Sequence, residues 1–207
     1  MFTLLKPEMK RCVDALDPYL AKEGFKIDSR HPIKNWEETA RELYAVQMRD
    51  PQFASEFNAY LWLTRNFFGN HALAYRLSRG ASVEENLHDL MEVKGRFRRD
   101  ISGKLDDPMG LMVNLERISA PQPIEIGKRG VIHIGDDPLQ EGLFEGRWDY
   151  FFFKHIHTSD NPEAYKREEG VLKSRGVYDS AISDTQWRQM VETGTLTPLN
   201  GKVYKNG

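Results

Sequence analysis

The sequence predicts an α/β sandwich of the split β-α-β type in one domain spanning residues 1–207. Strand-like and helix-like segments alternate along the chain in the order β-α-β-α-α-β-α-loop-β-α. Such alternation, joined by turns from hairpin length upward, is how helices come to cover a sheet. With 207 residues, 40 % of them hydrophobic, the chain is long enough to bury a real core.

"FTLL" (2–5) reads as a short buried strand. Pro7 marks a helix start, where a missing N–H costs nothing. Met9, Cys12, Val13, Leu16 and Leu20 recur at helical spacing, which predicts a helix over 8–23 that Pro18 bends or divides and Gly24 stops. "FKIDSRHPI" (25–33) alternates as a second strand. Asn35 is placed to cap the helix "WEETARELYAVQM" (36–48), and Pro51 opens the next, "PQFASEFNAYLWL" (51–63). "HALAYRLS" (71–78) is a third strand, and Ser82 begins a charged helix reaching about residue 101. Residues 102–128 hold six Gly or Pro residues and little periodicity, which predicts a long loop. "GVIHIG" (130–135) and "FFFKHI" (151–156) read as strands. Asp160 or Asn161 caps a helix from Pro162, and "DTQWRQMVETG" is a last helix.

Composition excludes several classes. The formal net charge of -2 gives no global basic field for nucleic acid or an anionic membrane. Cys12 is the only cysteine, so neither an intramolecular disulfide nor a cysteine zinc site can form. No run approaches the roughly 18 apolar residues of a membrane span, and "MFTLLKPEMK" does not read as a signal peptide. A cytoplasmic protein is the expectation.

The chemistry concentrates in "FFFKHIHTSDNPEAYKREEG" (151–170). In a strand His155 and His157 share a face. With Asp160 they form one candidate metal set. A second reading is nucleophilic. A neutral imidazole attacks phosphorus when one nitrogen is unprotonated and an acceptor holds the other. A chain that turns after the strand and returns along a helix brings Glu168 or Glu169 back toward the histidines. Lys6, at the end of the first strand, and Arg147, just before the histidine strand, are candidate phosphate-binding cations.

These pieces, in this order, resemble nucleoside diphosphate kinase. "FTLLKPEMKRCVDALDPYLAKEGFKI" is similar to the family's strand, Lys-Pro-acidic motif, helix and "GF" opening. "LYAVQMRDPQF" looks like its His-Tyr to Arg-Pro-Phe-Phe segment, "GDDPLQEGLFEGRWDY" like its Gly-x-Thr-x-Pro loop and Arg-Gly-Asp turn, and "HIHTSDNPEAYKREEGVL" like its Asn-x-x-His-Gly-Ser-Asp motif and following helix. The likeness covers most of 2–80 and 129–172. It leaves an insertion at about 81–128 and a C-terminal extension at about 173–207.

The resemblance implies an α+β, ferredoxin-like sandwich with an antiparallel sheet. It also implies ping-pong transfer of the γ-phosphate of a nucleoside triphosphate to a nucleoside diphosphate through a phosphohistidine. On it, His157 is the nucleophile, Glu168 its orienting carboxylate and Ser159 the motif serine. Lys6, Tyr44, Phe53, Arg129, Arg147 and Lys154 fall at nucleotide-binding positions, with Arg96 and Arg98 as alternatives to Arg129. Mg²⁺ is the implied cofactor, held mainly by phosphates with Asp137 near it. Nucleoside di- and triphosphates are the implied partners, and homo-oligomers are usual in the family. The departures are Lys154 for asparagine, Thr158 for glycine, Gln52 at the base-stacking position, with Phe53 beside it, and Asp137 for threonine. They open an alternative: a nucleotide-binding or protein-interaction module on the same fold. A metal-dependent hydrolase using His155, His157 and Asp160 is the third reading.

Overall fold

In the computed structural model, two sets of core side chains sandwich a four-stranded antiparallel sheet. The structure describes residues 1–9, 13, 15–65, 69–102, 124–126, 132–134, 137–138 and 155–193. Strand β1 (Phe2–Leu5) lies inside the sheet, between β3 (Ala72–Ser78) and β7 (Ile156–His157), and β2 (Lys26–Ile33) pairs the far side of β3. Every neighbouring pair is antiparallel. β1 and β2 therefore run in the same direction on either side of β3, and β3 and β7 do so on either side of β1. Each pair is a β-α-β unit split by one strand.

The pleat decides which residues go to which face. Phe2 and Leu4 of β1, with Ala72 and Ala74 of β3, face one core, where Trp36, Ala40, Leu43, Phe57, Tyr60 and Leu172 meet them. Leu5, Leu73, Tyr75, Leu77 and Ile156 face the other, packed by Leu20, Leu90, Phe97 and Trp187. Helices α2 (Trp36–Leu43), α3 (Pro51–Leu63) and α5 (Pro162–Ser174) supply the first core. Helices α1 (Asp17–Lys22), α4 (Val83–Ser102) and α6 (Asp184–Glu192) supply the second.

Local chemistry sets most boundaries. Asn35 accepts from the Glu38 N–H to start α2, and Asp50 accepts from the Gln52 N–H ahead of Pro51 to start α3. Ser82 and Glu85 form a reciprocal capping box at α4, as do Ser183 and Gln186 at α6. Of the two candidates for α5, Asn161 is the cap, accepting from the Ala164 N–H at 2.8 Å. Asp160 is instead paired with Lys94. Gly24, at φ 74°, ends the α1 turn in a left-handed conformation.

Four expectations change. The helix expected over 8–23, bent or divided by Pro18, is among the described residues a 3₁₀ turn at Pro7–Met9 and a separate helix at Asp17–Lys22 with Pro18 in its first turn. The helix expected to 48 stops at Leu43, and Tyr44 leaves helical geometry (φ -99°, ψ 16°). Its buried stripe, Trp36, Thr39, Ala40 and Leu43, ends there. Within 102–128, read as a loop, lies β4 (Ile124–Ile126), which pairs with β5 (Ile132–Ile134), inside the strand expected at 130–135, and β5 pairs in turn with β6 (Asp137–Pro138). The three residues of β4 are too few to show a period in sequence. The histidine strand includes His157 itself, while 151–154 lie outside the described residues.

The segment expected as an insertion begins with α4, whose Leu90, Val93 and Phe97 are fully buried against the sheet. The expected C-terminal extension is likewise anchored. Ile182 donates its N–H to the Arg30 carbonyl at 2.8 Å, Arg30 pairs with Asp184 at 3.1 Å, and Trp187 is buried. Among the described residues no helix is long and apolar enough to cross a membrane.

Candidate active site

The site lies where the ends of β1 and β7 meet α2, α4 and α5. β1 and β7 are in register with Leu4 opposite His157. The Thr3 hydroxyl donates to the His157 carbonyl at 3.0 Å, and the Lys6 N–H donates to the His155 carbonyl at 2.9 Å. The strand thus ends with His157 aimed at the α2–α3–α5 side. There Phe2 stacks on its ring at 6.4 Å between centroids and Tyr44 meets it edge-on at 5.2 Å.

Both nitrogens of His157 are engaged. Nε2 is 2.8 Å from Glu168 Oε2, and Nδ1 is 2.9 Å from the Tyr44 hydroxyl. The same Oε2 accepts from the Ser159 hydroxyl at 2.8 Å, and Oε1 accepts from Arg167 at 3.1 Å. Glu168 is 2 % exposed. Burial by itself would raise its pKa. Hydrogen bonds from His157 and Ser159 and the Arg167 charge outweigh that and hold the carboxyl below its ordinary 4.5, so it is ionised. For His157, burial is the largest influence. Together with the nearby cations Lys6 and Lys94 it outweighs the pull of Glu168 and holds the ring below its ordinary 6.5.

These two directions assign the protons. An ionised carboxylate only accepts, so a neutral His157 carries its hydrogen on Nε2 and donates it to Glu168. Nδ1 then has a lone pair, and the Tyr44 O–H donates to it. A buried neutral imidazole, held at one nitrogen by a carboxylate and presenting the other as a lone pair, is a nucleophile arrangement.

Lys6 completes the surroundings. It is 1 % exposed, with its ammonium 5.6 Å from the Tyr44 ring centroid and 4.9 Å from that of Tyr60. Phe53 packs 6.1 Å from the Tyr44 ring, while Gln52 is exposed. The structure therefore brings together His157, Glu168, Ser159, Tyr44 and Lys6, with Phe53 at the edge. Arg129, Arg147 and Lys154 lie outside the described residues, as does the side chain of Asp137.

Of the alternative arginines, Arg98 points at this strand, donating to the Ile156 carbonyl at 3.1 Å, whereas Arg96 is turned away onto Glu23. Arg167 and Lys94 do not figure in the sequence reading. Lys94 and Arg98 are four apart and so share a helix face, a legible signal. That this face packs over β7 is visible only in the fold.

The metal set His155, His157 and Asp160 is not assembled. His155 precedes the strand at φ 20°, so strict alternation with His157 does not apply, and Asp160 binds Lys94 at 3.1 Å. Among the described residues no group of three or more His, Cys, Asp or Glu is placed to hold a metal ion.

Two buried neutral histidines make stability depend on pH. His155 is pushed down to about 3, first by burial and then by the charges of Arg98 and Lys6. In the unfolded chain both rings take up a proton near 6.5. Below that pH the unfolded state binds more protons than the folded one, so stability falls as acid is added, by up to about 1.4 kcal/mol per pH unit for each histidine. Glu168 adds its own loss only when the pH drops through its lowered folded-state pKa. The expected result is a lower urea midpoint at pH 5 than at pH 7.5, with a smaller difference in His155→Phe. Equal midpoints at the two pH values would contradict the assignment.

No protein-family model and no curated protein matches the chain.

Proposed function

We propose that the protein is a nucleoside diphosphate kinase-like phosphotransferase working through a phosphohistidine on His157. The observation that carries this is the pairing of His157 Nε2 with the buried Glu168 carboxylate, which leaves Nδ1 as the lone pair. The ferredoxin-like reading of the fold belongs to the same proposal. It is supported by the strand order β2-β3-β1-β7 with every neighbour antiparallel.

In the first half-reaction Nδ1 attacks the γ-phosphorus in line, and the bond from that phosphorus to the β-phosphate oxygen breaks. The nucleoside diphosphate leaves with the bonding electrons. The Tyr44 hydroxyl moves off Nδ1 and becomes a donor to the transferred group. The ring gains positive charge as the N–P bond forms, and Glu168, already ionised and hydrogen-bonded to Nε2–H, stabilises it. Lys6 offsets negative charge on the phosphoryl oxygens. In the second half-reaction a β-phosphate oxygen of another nucleoside diphosphate attacks the phosphohistidine and returns the lone pair to Nδ1. A magnesium ion accompanying the nucleotide would add to the offset of phosphate charge that Lys6 supplies.

The test is incubation with γ-labelled ATP. The wild type takes up acid-labile label on His157, and His157→Ala takes up none. Absence of such label, or equal labelling of His157→Ala, overturns the mechanism. One observation favours the second reading, a nucleotide-binding module without transfer: Nδ1 is already occupied by Tyr44 and the ring is 8 % exposed. Saturable nucleotide binding with no label would establish that reading instead.

A further inference from the structure

His155 stands beside this network and takes no part in it. It is 1 % exposed, and neither Nδ1 nor Nε2 has a hydrogen-bond partner among the described residues. A neutral imidazole always carries one N–H and one lone pair. Burying both unmet costs free energy that an apolar side chain at the same position would not. His155 is also the one non-glycine residue at positive φ among those described. A native chain that keeps a costly polar group unsatisfied calls for a bound partner.

The surroundings say what that partner is. The Lys6 N–H is bonded to the His155 carbonyl, which brings the base of the Lys6 side chain to the histidine. Arg98 reaches the next carbonyl, that of Ile156. Both cations act on His155, and among the described residues no carboxylate is seen to do so. Lys6 acts on His157 as well, so one cation serves both imidazoles. A buried neutral N–H beside two cations is matched by an anionic oxygen.

We infer that His155, flanked by Lys6 and Arg98, is a phosphate-oxygen ligand, and that the oxygen belongs to a nucleoside diphosphate. This rests on the phosphotransferase reading of the cleft. Its consequence is that a polyphosphate is held at two imidazoles with different duties: His157 accepts the phosphoryl group, and His155 donates a hydrogen bond to a phosphate oxygen. Its neutrality suits it to the second duty alone, since a ring pressed by two cations remains a donor without taking up a proton.

The experiment is a titration of the ¹⁵N-labelled full chain with ADP, inorganic phosphate and adenosine, followed through the histidine ring nitrogens. The protonated nitrogen of His155 shifts saturably with ADP, shifts more weakly with phosphate, and does not respond to adenosine. His155→Phe loses about tenfold or more in ADP affinity, the loss of one hydrogen bond to a charged group, and keeps or raises its unfolding midpoint. His155→Gln, which retains a donor, recovers part of the affinity. A His155 signal unmoved by all three ligands, or ADP affinity unchanged in His155→Phe, overturns the inference. A response to phosphate that ADP does not share overturns the nucleotide assignment in favour of a free oxyanion. None of these readouts requires phosphoryl transfer, so a failure of the labelling experiment and a failure here remain distinguishable.

Discussion

Glu168→Gln is expected to slow phosphorylation of His157 by about 10²- to 10⁴-fold, the range over which an orienting carboxylate and general acid–base groups act. The amide keeps the size of the side chain and can still accept from Nε2–H. It lacks the negative charge that opposes the positive charge appearing on the ring as the N–P bond forms. It also gives the network a choice. The carboxylate accepts from Nε2, Ser159 and Arg167, and so leaves only one arrangement of protons. An amide oriented with its NH₂ toward His157 would favour the tautomer protonated on Nδ1, which has no lone pair for phosphorus there. The measurement is the single-turnover rate of phosphoenzyme formation, with nucleotide affinity measured separately. A slow rate at nearly unchanged affinity supports an electrostatic and tautomer-setting role. A wild-type rate means that Glu168 is a packing element and nothing more.

Trp187→Ala is expected to lower stability by about 3–5 kcal/mol, the usual cost of emptying a fully buried aromatic position. Trp187 is 1 % exposed and lies in the core that contains Leu5, Leu73, Phe97 and Ile156. The nine residues of α6 bury no other side chain so completely. Met190 and Val191 pack only partly, so little else holds the helix to the sheet. For a chain of this length the loss corresponds to roughly 6–20 °C in unfolding midpoint. Calorimetry of the variant checks it, and a midpoint within 2 °C of wild type, which is roughly the equivalent of 1 kcal/mol or less, would contradict the docking of α6. The side chain lies on the sheet face opposite His157. Phosphorylation well below the midpoint is therefore expected to be near normal in Trp187→Ala, whereas Glu168→Gln shows the reverse pattern.

Much of the scaffold is legible in the chain because its signals are local. The caps Asn35, Ser82 and Asn161 act within one turn of backbone, and Pro51 and Pro162 exclude themselves from helix interiors. The strands 2–5, 26–33 and 72–78 show their apolar residues directly, although β1 and β3 are buried on both faces. Pro18 carried the same information. It marks the first turn of α1, so of the bend or division expected there the chain takes the division. The short β4 was not legible, because three residues cannot display a period, whereas β5 falls inside the strand expected at 130–135.

The site divides along the same line. That a glutamate returns to the histidines was legible because they share one strand–turn–helix segment, but that reading left Glu168 and Glu169 open, and the choice of His157 with Glu168, eleven positions apart, is what the resemblance implied. Tyr44 on Nδ1, the closeness of Lys6 to both histidines, and the turning of Arg98 rather than Arg96 toward β7 depend on three elements far away in sequence. So does the state of His155. The sequence by itself determined the residue types, most local elements and the return of a glutamate toward the histidines. Tertiary structure alone decided which histidine is satisfied and which is left buried between cations. Burial and long-range charge arise when α2 and α4 close over the strand ends, and no local pattern along the chain encodes that.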